Sequence, residues 1–268
     1  MQSQTRIRDR TTTTMDSAAL PPLVPDLHRC AILLDIDGTI LDFAPSPRQV
    51  RVPDDLTRTL TRLQQSTGGA LALVSGRSIG DIDLIFAPLR LAAIGVHGAE
   101  MRLHCDAPVL TRVLPLSAAL KDRLAKIADL GPGILVEDKG YSLALHYRQA
   151  PAKAAELMSA IDRVCASAPQ EAVEILPGKF VVDIKPAAIN KGDAVRELMQ
   201  HPPFAGRHPI FIGDDTTDLT VFDTVPTFGG RAYSVGDITA DVDGHFETPE
   251  IVRSWLARIA AESLGAAG

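Results

Sequence analysis

Three short clusters of acidic, hydroxyl and glycine residues in this chain carry side chains suited to phosphoryl transfer. The first is Asp35-Ile36-Asp37-Gly38-Thr39. An aspartate of ordinary acidity, with a pKa of about 3.9, is ionised at neutral pH and can attack phosphorus without a separate base. Asp35 is the candidate nucleophile, which would become an aspartyl-phosphate. Asp37 is placed to protonate the leaving oxygen and then to accept a proton from attacking water. The first task needs Asp37 protonated, and repulsion from Asp35 favours that state. Gly38 permits a tight turn and, with Thr39, brings backbone N–H groups toward a phosphate. The second cluster, Ser75-Gly76, offers a hydroxyl and an unshielded N–H to a phosphoryl oxygen.

The third cluster is Gly213-Asp214-Asp215-Thr216-Thr217-Asp218. Carboxylates crowded beside a phosphate dianion would repel it unless a cation stood between them. Hard oxygen donors with few imidazoles suit Mg²⁺. Asp35, Asp214 and the backbone carbonyl of Asp37 are the candidate ligands, with Asp215 and Asp218 orienting them. Lys191 would neutralise carboxylate and phosphate together and stabilise the charge that moves in the transition state.

These residues need elements to hold them. The apolar run Ala31 to Leu34 ends at Asp35, which suits a central parallel strand buried on both faces. Leu56, Leu60 and Leu63 recur at helical spacing, and the run Ala70 to Val74 ends at Ser75. A short helix with Ile82, Ile85 and Phe86 precedes a third strand, Leu91 to Val96. After Asn190-Lys191-Gly192 comes a helix with Ala194, Val195 and Leu198, then a strand, Pro209 to Ile212, ending at the third cluster. A final helix carries Ile251, Trp255 and Ile259. Alternating strands and helices predict a doubly wound α/β core with a parallel sheet, whose ligands bind beyond the carboxyl ends of the strands.

The middle of the chain has a different pattern. A helical stripe of Leu116, Leu120, Leu124 and Ile127 precedes two strands, Ile134 to Glu137 and Tyr141 to Arg148. A helix with Ala154, Leu157, Ile161 and Val164 follows. Two more strands, Ala172 to Leu176 and Lys179 to Lys185, are joined across Pro177-Gly178. This αββαββ block predicts a four-stranded, mainly antiparallel sheet with both helices on one face. Alternation puts Leu143, Leu145 and Tyr147 on one face and His146 and Arg148 on the other. Phe180, Val182 and Ile184 likewise oppose Lys179, Asp183 and Lys185, and Glu137 shares a face with Lys139. A charged sheet face is commonly just solvated; mixed charges from several strands also suit a polyhydroxylated anion. The expected division is a leader at 1–27, a discontinuous core at 28–112 and 187–262, and an inserted cap at 113–186.

Composition narrows the partners. The formal charge is −6 and aromatic residues make up 4%, which argues against a nucleic-acid surface. No window approaches a membrane span in apolar length. The three cysteines, Cys30, Cys105 and Cys165, have no metal-ligand spacing and read as reduced cytoplasmic thiols. Residues 1–27 lack hydrophobic periodicity and read as a disordered leader. The expected partner is a small sugar phosphate, bound by a cytoplasmic monomer.

Any one of these clusters is weak evidence, because Asp-x-Asp, Ser-Gly and Lys-Gly pairs are common at turns. Their joint order matches the stations of the haloacid-dehalogenase-like phosphatases. The chain further resembles the trehalose-6-phosphate phosphatase family at Gly95-Val96-His97-Gly98-Ala99-Glu100, Leu143-Ala144-Leu145-His146-Tyr147-Arg148, Pro177-Gly178-Lys179 and Gly213-Asp214-Asp215-x-Thr217-Asp218. The resemblance implies a Rossmann-like core with a mobile cap, and release of trehalose and phosphate from trehalose 6-phosphate. It also implies a sugar-binding set: Glu137, Lys139, His146, Arg148, Lys179 and Asp183 from the cap, with Arg77, His97 and Glu100 from the core. Two positions depart from the family pattern, since Asp183 and Leu219 stand where glutamate is usual. Another capped sugar phosphatase of the same superfamily and a phosphosugar mutase are the alternatives.

Overall fold

The structure is a computed structural model and describes residues 26–44, 49–236 and 240–265. Apart from Asp26 and Leu27, the expected leader lies outside the described residues.

The run that ends at Asp35 forms β1 (Cys30–Leu34), and all five of its residues are buried. Its two faces feed two separate hydrophobic clusters. Cys30, Ile32 and Leu34 pack with Leu56, Leu60 and Leu63 of α1 (Asp54–Ser66), with Ile79, Ile82 and Phe86 of α2 (Ile79–Phe86), and with Trp255 and Ile259 of the C-terminal helix. Ala31 and Leu33 pack on the opposite side with Ala194, Val195 and Leu198 of α5 (Lys191–Leu198) and with Val221 and Phe222 of α6 (Leu219–Thr224). Helices therefore cover both faces, which is why the strand reads as continuously apolar. Each fully buried Leu or Ile contributes about 1.5–3 kcal/mol.

Five further parallel strands extend this sheet: β2 (Leu71–Val74) and β3 (Ala92–Gly95) on one side of β1, and β10 (His208–Gly213), β11 (Arg231–Val235) and β12 (Gly244–Phe246) on the other. β4 (Glu100–Arg102) and β5 (Leu110–Thr111) add an antiparallel edge beyond β3. Strand order reverses around β1, so the crevice expected at such a switch point opens beside the carboxyl ends of β1 and β10. The weakly apolar strands β4, β5, β11 and β12 and the short α6 go beyond the elements expected from the sequence.

The middle block forms the second layer. β6 (Leu135–Asp138), β7 (Leu143–His146), β9 (Val181–Pro186) and β8 (Val173–Gly178) pair antiparallel in that spatial order. Leu143, Leu145, Val182 and Ile184 bury one face against Leu120 and Leu124 of α3 (Ala118–Ala125) and Leu157 and Ile161 of α4 (Ala154–Ala166). The α+β block expected from the sequence is thus present as a four-stranded antiparallel sheet with both helices on one face, beside the parallel-sheet core.

One turn falls elsewhere. Pro177 and Gly178 still pair with Val182 and Val181, so the hairpin turns at Lys179-Phe180 instead of Pro177-Gly178. β8 is an edge strand, where proline's missing N–H is tolerated. Phe180 leaves the strand for left-handed backbone at φ 65°. Lys185, expected on the open polar face, is 1% exposed and is bound to Glu174 and to the Ile189 carbonyl.

Candidate active site

Because β10, β1 and β2 are parallel neighbours, the residues that follow them emerge along one edge of the sheet. The Asp35 N–H still donates to the Ile212 carbonyl at 2.9 Å, which pins the backbone of Asp35 to the strand bearing the third cluster. Lys191 opens α5, whose N-cap Asn190 accepts from the Asp193 N–H at 2.8 Å. That cap fixes the helix start and sends the lysine inward. Its ammonium lies 2.8 Å from Asp35 Oδ1 and 2.7 Å from Asp218 Oδ1.

The lysine is 2% exposed and Asp35 5%. Desolvation works against the ammonium, but Asp218 and Asp35 outweigh it and hold the proton far more tightly than usual. For Asp35 the balance runs the other way. Burial raises its pKa well above the usual carboxylate range despite Lys191, and Asp218 and Asp214 add to the rise. The ordinary acidity assumed from sequence therefore does not hold for this side chain without additional positive charge.

The donor set fits such a charge. Asp35, Asp214 and Asp218 each offer an oxygen within 4.8 Å of the others. Asp214 is pushed up to about 7, first by burial and then by Asp218. Asp218 is engaged at both oxygens, since Oδ1 takes Lys191 and Oδ2 accepts the Asp214 and Asp215 N–H groups at 3.1 Å each, and it does not line the cavity. Asp35 and Asp214 are left as the carboxylates able to face a hard divalent cation. Thr39, fully buried, donates to Asp214 Oδ1 at 3.2 Å and so orients a ligand instead of facing the cavity.

Two glycines let side chains of the site approach the backbone closely. Gly38 sits at φ 86°, and a Cβ there would fall 2.0 Å from Asp214 Oδ2. At Gly76 a Cβ would meet His97 Cε1 at 2.5 Å. Ser75 is buried at the end of β2, where its Oγ accepts the Arg77 N–H at 3.2 Å and keeps its own proton to donate. Asp37 is held by Arg77, whose Nε and Nη2 approach its two carboxylate oxygens at 2.6 Å each.

A cavity of about 670 Å³ joins these groups to the polar face of the second layer. Its walls include Asp35, Asp37, Gly38, Ser75, Gly76, Lys191, Asp214 and Asp215 from the core. Of the expected sugar-binding set, Arg77, His97, Glu137, Lys139, His146, Arg148, Lys179 and Asp183 line it as well. Glu100 is not among them. Its Oε2 accepts the Ile79 N–H at 2.8 Å, at the start of α2, so its visible role is to hold that helix. Thr39 and Asp218 also stand behind the wall. Phe43 and Glu247 line the cavity without having been singled out in the sequence, and Phe180 lines it although alternation put it on the apolar face with Val182 and Ile184, because its left-handed backbone takes it out of the strand. A lone phenylalanine carries no motif, and Glu247 follows β12, too short a run to be read.

Cross-strand geometry organises the wall contributed by the second layer. Glu137 Oε2 lies 2.7 Å from His146 Nε2, and Lys139 Nζ donates to Asp183 Oδ1 at 2.6 Å. Asp183 Oδ2 lies 3.6 Å from His97 Nε2, beyond hydrogen-bond length. Consecutive left-handed residues, Val96 at φ 47° and His97 at φ 54°, turn that imidazole into the cavity.

Asp183 gives a pH test. Burial would raise its pKa, but Lys139 and His97 overcome that and hold it below the usual range. The folded carboxyl is then the stronger acid, so its contribution to stability is complete above about pH 4 and fades as pH falls toward the folded value. Urea titrations from about pH 5 to about pH 2 are expected to show a steeper loss for wild type than for Asp183→Asn. Equal slopes would place the carboxylate outside the pair.

The trehalose-phosphatase family model matches residues 33–243. The chain belongs to the trehalose-phosphatase family. A trehalose-6-phosphate phosphatase from Escherichia coli is 39% identical over 240 residues, covering 88% of each chain. A probable trehalose-phosphate phosphatase from Sinorhizobium fredii is 37% identical over 268 residues, covering 97% of this chain and 98% of its own. The fold matches the C-terminal domain of a Candida albicans trehalose-6-phosphate phosphatase with a TM-score of 0.77 and 22% identity, over 91% of this chain and 99% of that one. The trehalose-phosphatase match begins within β1 and ends just before β12, so it contains all three clusters and Lys191. No helix among the described residues is long and apolar enough to cross a membrane.

Proposed function

We propose that this chain hydrolyses trehalose 6-phosphate to trehalose and phosphate through an aspartyl-phosphate on Asp35. The observation that carries the reading is the buried Lys191 ammonium between Asp35 and Asp218, at the base of a cavity roofed by a polar sheet. The names of the relatives at 37% and 39% identity support the sugar. Asp35 and Asp214, with the Asp37 carbonyl, would hold Mg²⁺, which when bound would supply the positive charge that lets phosphate approach the carboxylates.

An Asp35 oxygen attacks phosphorus, and the bond from phosphorus to the sugar oxygen breaks. Asp37 gives that oxygen a proton, then takes one from the water that cleaves the aspartyl-phosphate. Arg77 must release Asp37 for this, and a bound phosphate dianion is a competing partner for the guanidinium. Ser75 and the N–H groups near Gly38 and Gly76 hold the phosphoryl oxygens, and Lys191 offsets their charge. The cap, 113–186, excludes water while its polar face grips the disaccharide, and the core is 28–112 with 187–262. The protein acts as a cytoplasmic monomer.

Phosphate release from a panel of sugar phosphates, with Mg²⁺ and then with chelator, tests the proposal. Trehalose 6-phosphate is expected to give the highest kcat/KM, and chelation to abolish turnover. Preference for a monosaccharide phosphate would favour another capped phosphatase of the superfamily. Conserved phosphate, with dependence on a sugar bisphosphate, would mark a mutase.

A further inference from the structure

Phe43 lies in the loop that leaves β1, is 44% exposed, and has its ring against the turn of the first cluster. A Cβ on Gly38 would stand 2.6 Å from its Cζ. Facing it from the cap are Arg148, just past β7, and Lys179, in the β8–β9 turn. The Arg148 guanidinium carbon is 5.9 Å from the Phe43 ring centre and 5.5 Å from that of Phe180, and Lys179 Nζ is 5.2 Å from the Phe43 ring. We propose that Phe43 is a positioning residue of the core, whose ring docks two cap cations and thereby sets the cap over the reaction centre.

An aromatic face attracts a cation within about 6 Å of its centre through the ring quadrupole. Arg148 bridges two such rings, one from each layer. The cap side of the bridge is held firmly. Phe180 keeps a left-handed backbone, its carbonyl accepts the Tyr147 N–H at 2.9 Å, and the Tyr147 ring packs edge-on against it at 6.0 Å. The same hairpin overlies the third cluster, where Gly178 comes close to Asp215. Phe43 thus touches the catalytic turn on one side and the sugar-facing cations on the other. An aliphatic side chain of similar bulk would fill the space without holding the charges.

The kinetic part of the test rests on the trehalose 6-phosphate reading; the exchange part does not. Phe43→Leu is expected to lower the ratio of kcat/KM for trehalose 6-phosphate to that for p-nitrophenyl phosphate by roughly five- to thirtyfold, mainly through KM. Phe43→Tyr, which keeps the π face, is expected to restore it. Amide exchange in the ligand-free protein reads the same contact directly. The peptide spanning 177–182 should exchange faster in Phe43→Leu than in wild type or Phe43→Tyr, while peptides of β1 and β10 stay unchanged and report an intact core. A wild type inactive on trehalose 6-phosphate would overturn the functional reading and leave the exchange result to decide this one. Phe43→Leu matching Phe43→Tyr in hairpin exchange would overturn the docking role.

Discussion

Replacing Asp35 with asparagine is expected to lower turnover on the order of 10⁴-fold or more, because the attacking oxygen is lost while the surrounding groups remain. The fold should survive. Asp35 is buried and its carboxyl sits well above the usual pKa range, chiefly through desolvation. A carboxyl made a weaker acid by folding subtracts stability at every pH above its unfolded value, so a neutral isostere removes a strain instead of adding one. Lys191 keeps Asp218 as a partner at 2.7 Å. The melting temperature of Asp35→Asn is therefore expected to equal or exceed that of wild type in the absence of metal. Phosphate-release assays and thermal melts check both halves, and near-normal turnover would defeat the mechanism.

The lysine should behave in the opposite way. Lys191→Met removes the ammonium from between two carboxylates and leaves Asp35 and Asp218 buried without their shared counter-charge. Breaking one side of a buried ion network costs about 3–5 kcal/mol. Turnover should be lost as well, since the cation that would offset the phosphoryl charge beside Asp35 is gone. The double variant Lys191→Met/Asp218→Asn separates the two effects. It relieves the repulsion and is expected to recover much of the stability, but none of the activity. Urea unfolding of the three proteins is the measurement. A single variant as stable as wild type would show that these carboxylates do not depend on Lys191 as their counter-charge.

The sequence exposed the core strands because burial on both faces leaves an uninterrupted apolar run, as in Ala31 to Leu34. It exposed the polar cap wall because alternation along a strand is strict, so His146, Lys139 and Asp183 could be assigned to one face. The hairpin at Lys179-Phe180 was hidden by the Pro-Gly pair beside it, which is a strong turn signal but here sits inside an edge ladder. Glu100 shows the limit of a motif. Its place in the sequence pattern survives, yet its carboxylate is spent on the Ile79 N–H. The clamp of Arg77 on Asp37 was also out of reach, since the two are brought together only by the pairing of β1 with β2. Distance between side chains far apart in the chain is a product of sheet order, and sheet order is the weakest part of any reading from sequence.

The left-handed pair at Val96 and His97 has an implication for redesign. Each such backbone costs on the order of 1–3 kcal/mol, and Val96 is β-branched, the least suited kind of residue for it. Against a typical folding stability of about 5–15 kcal/mol that is a sizeable sacrifice. Val96 is also fully buried beside Ala99 and Ile189, so glycine at position 96 would relieve the backbone but forfeit that packing, and the chain would no longer be obliged to aim an imidazole at its guest.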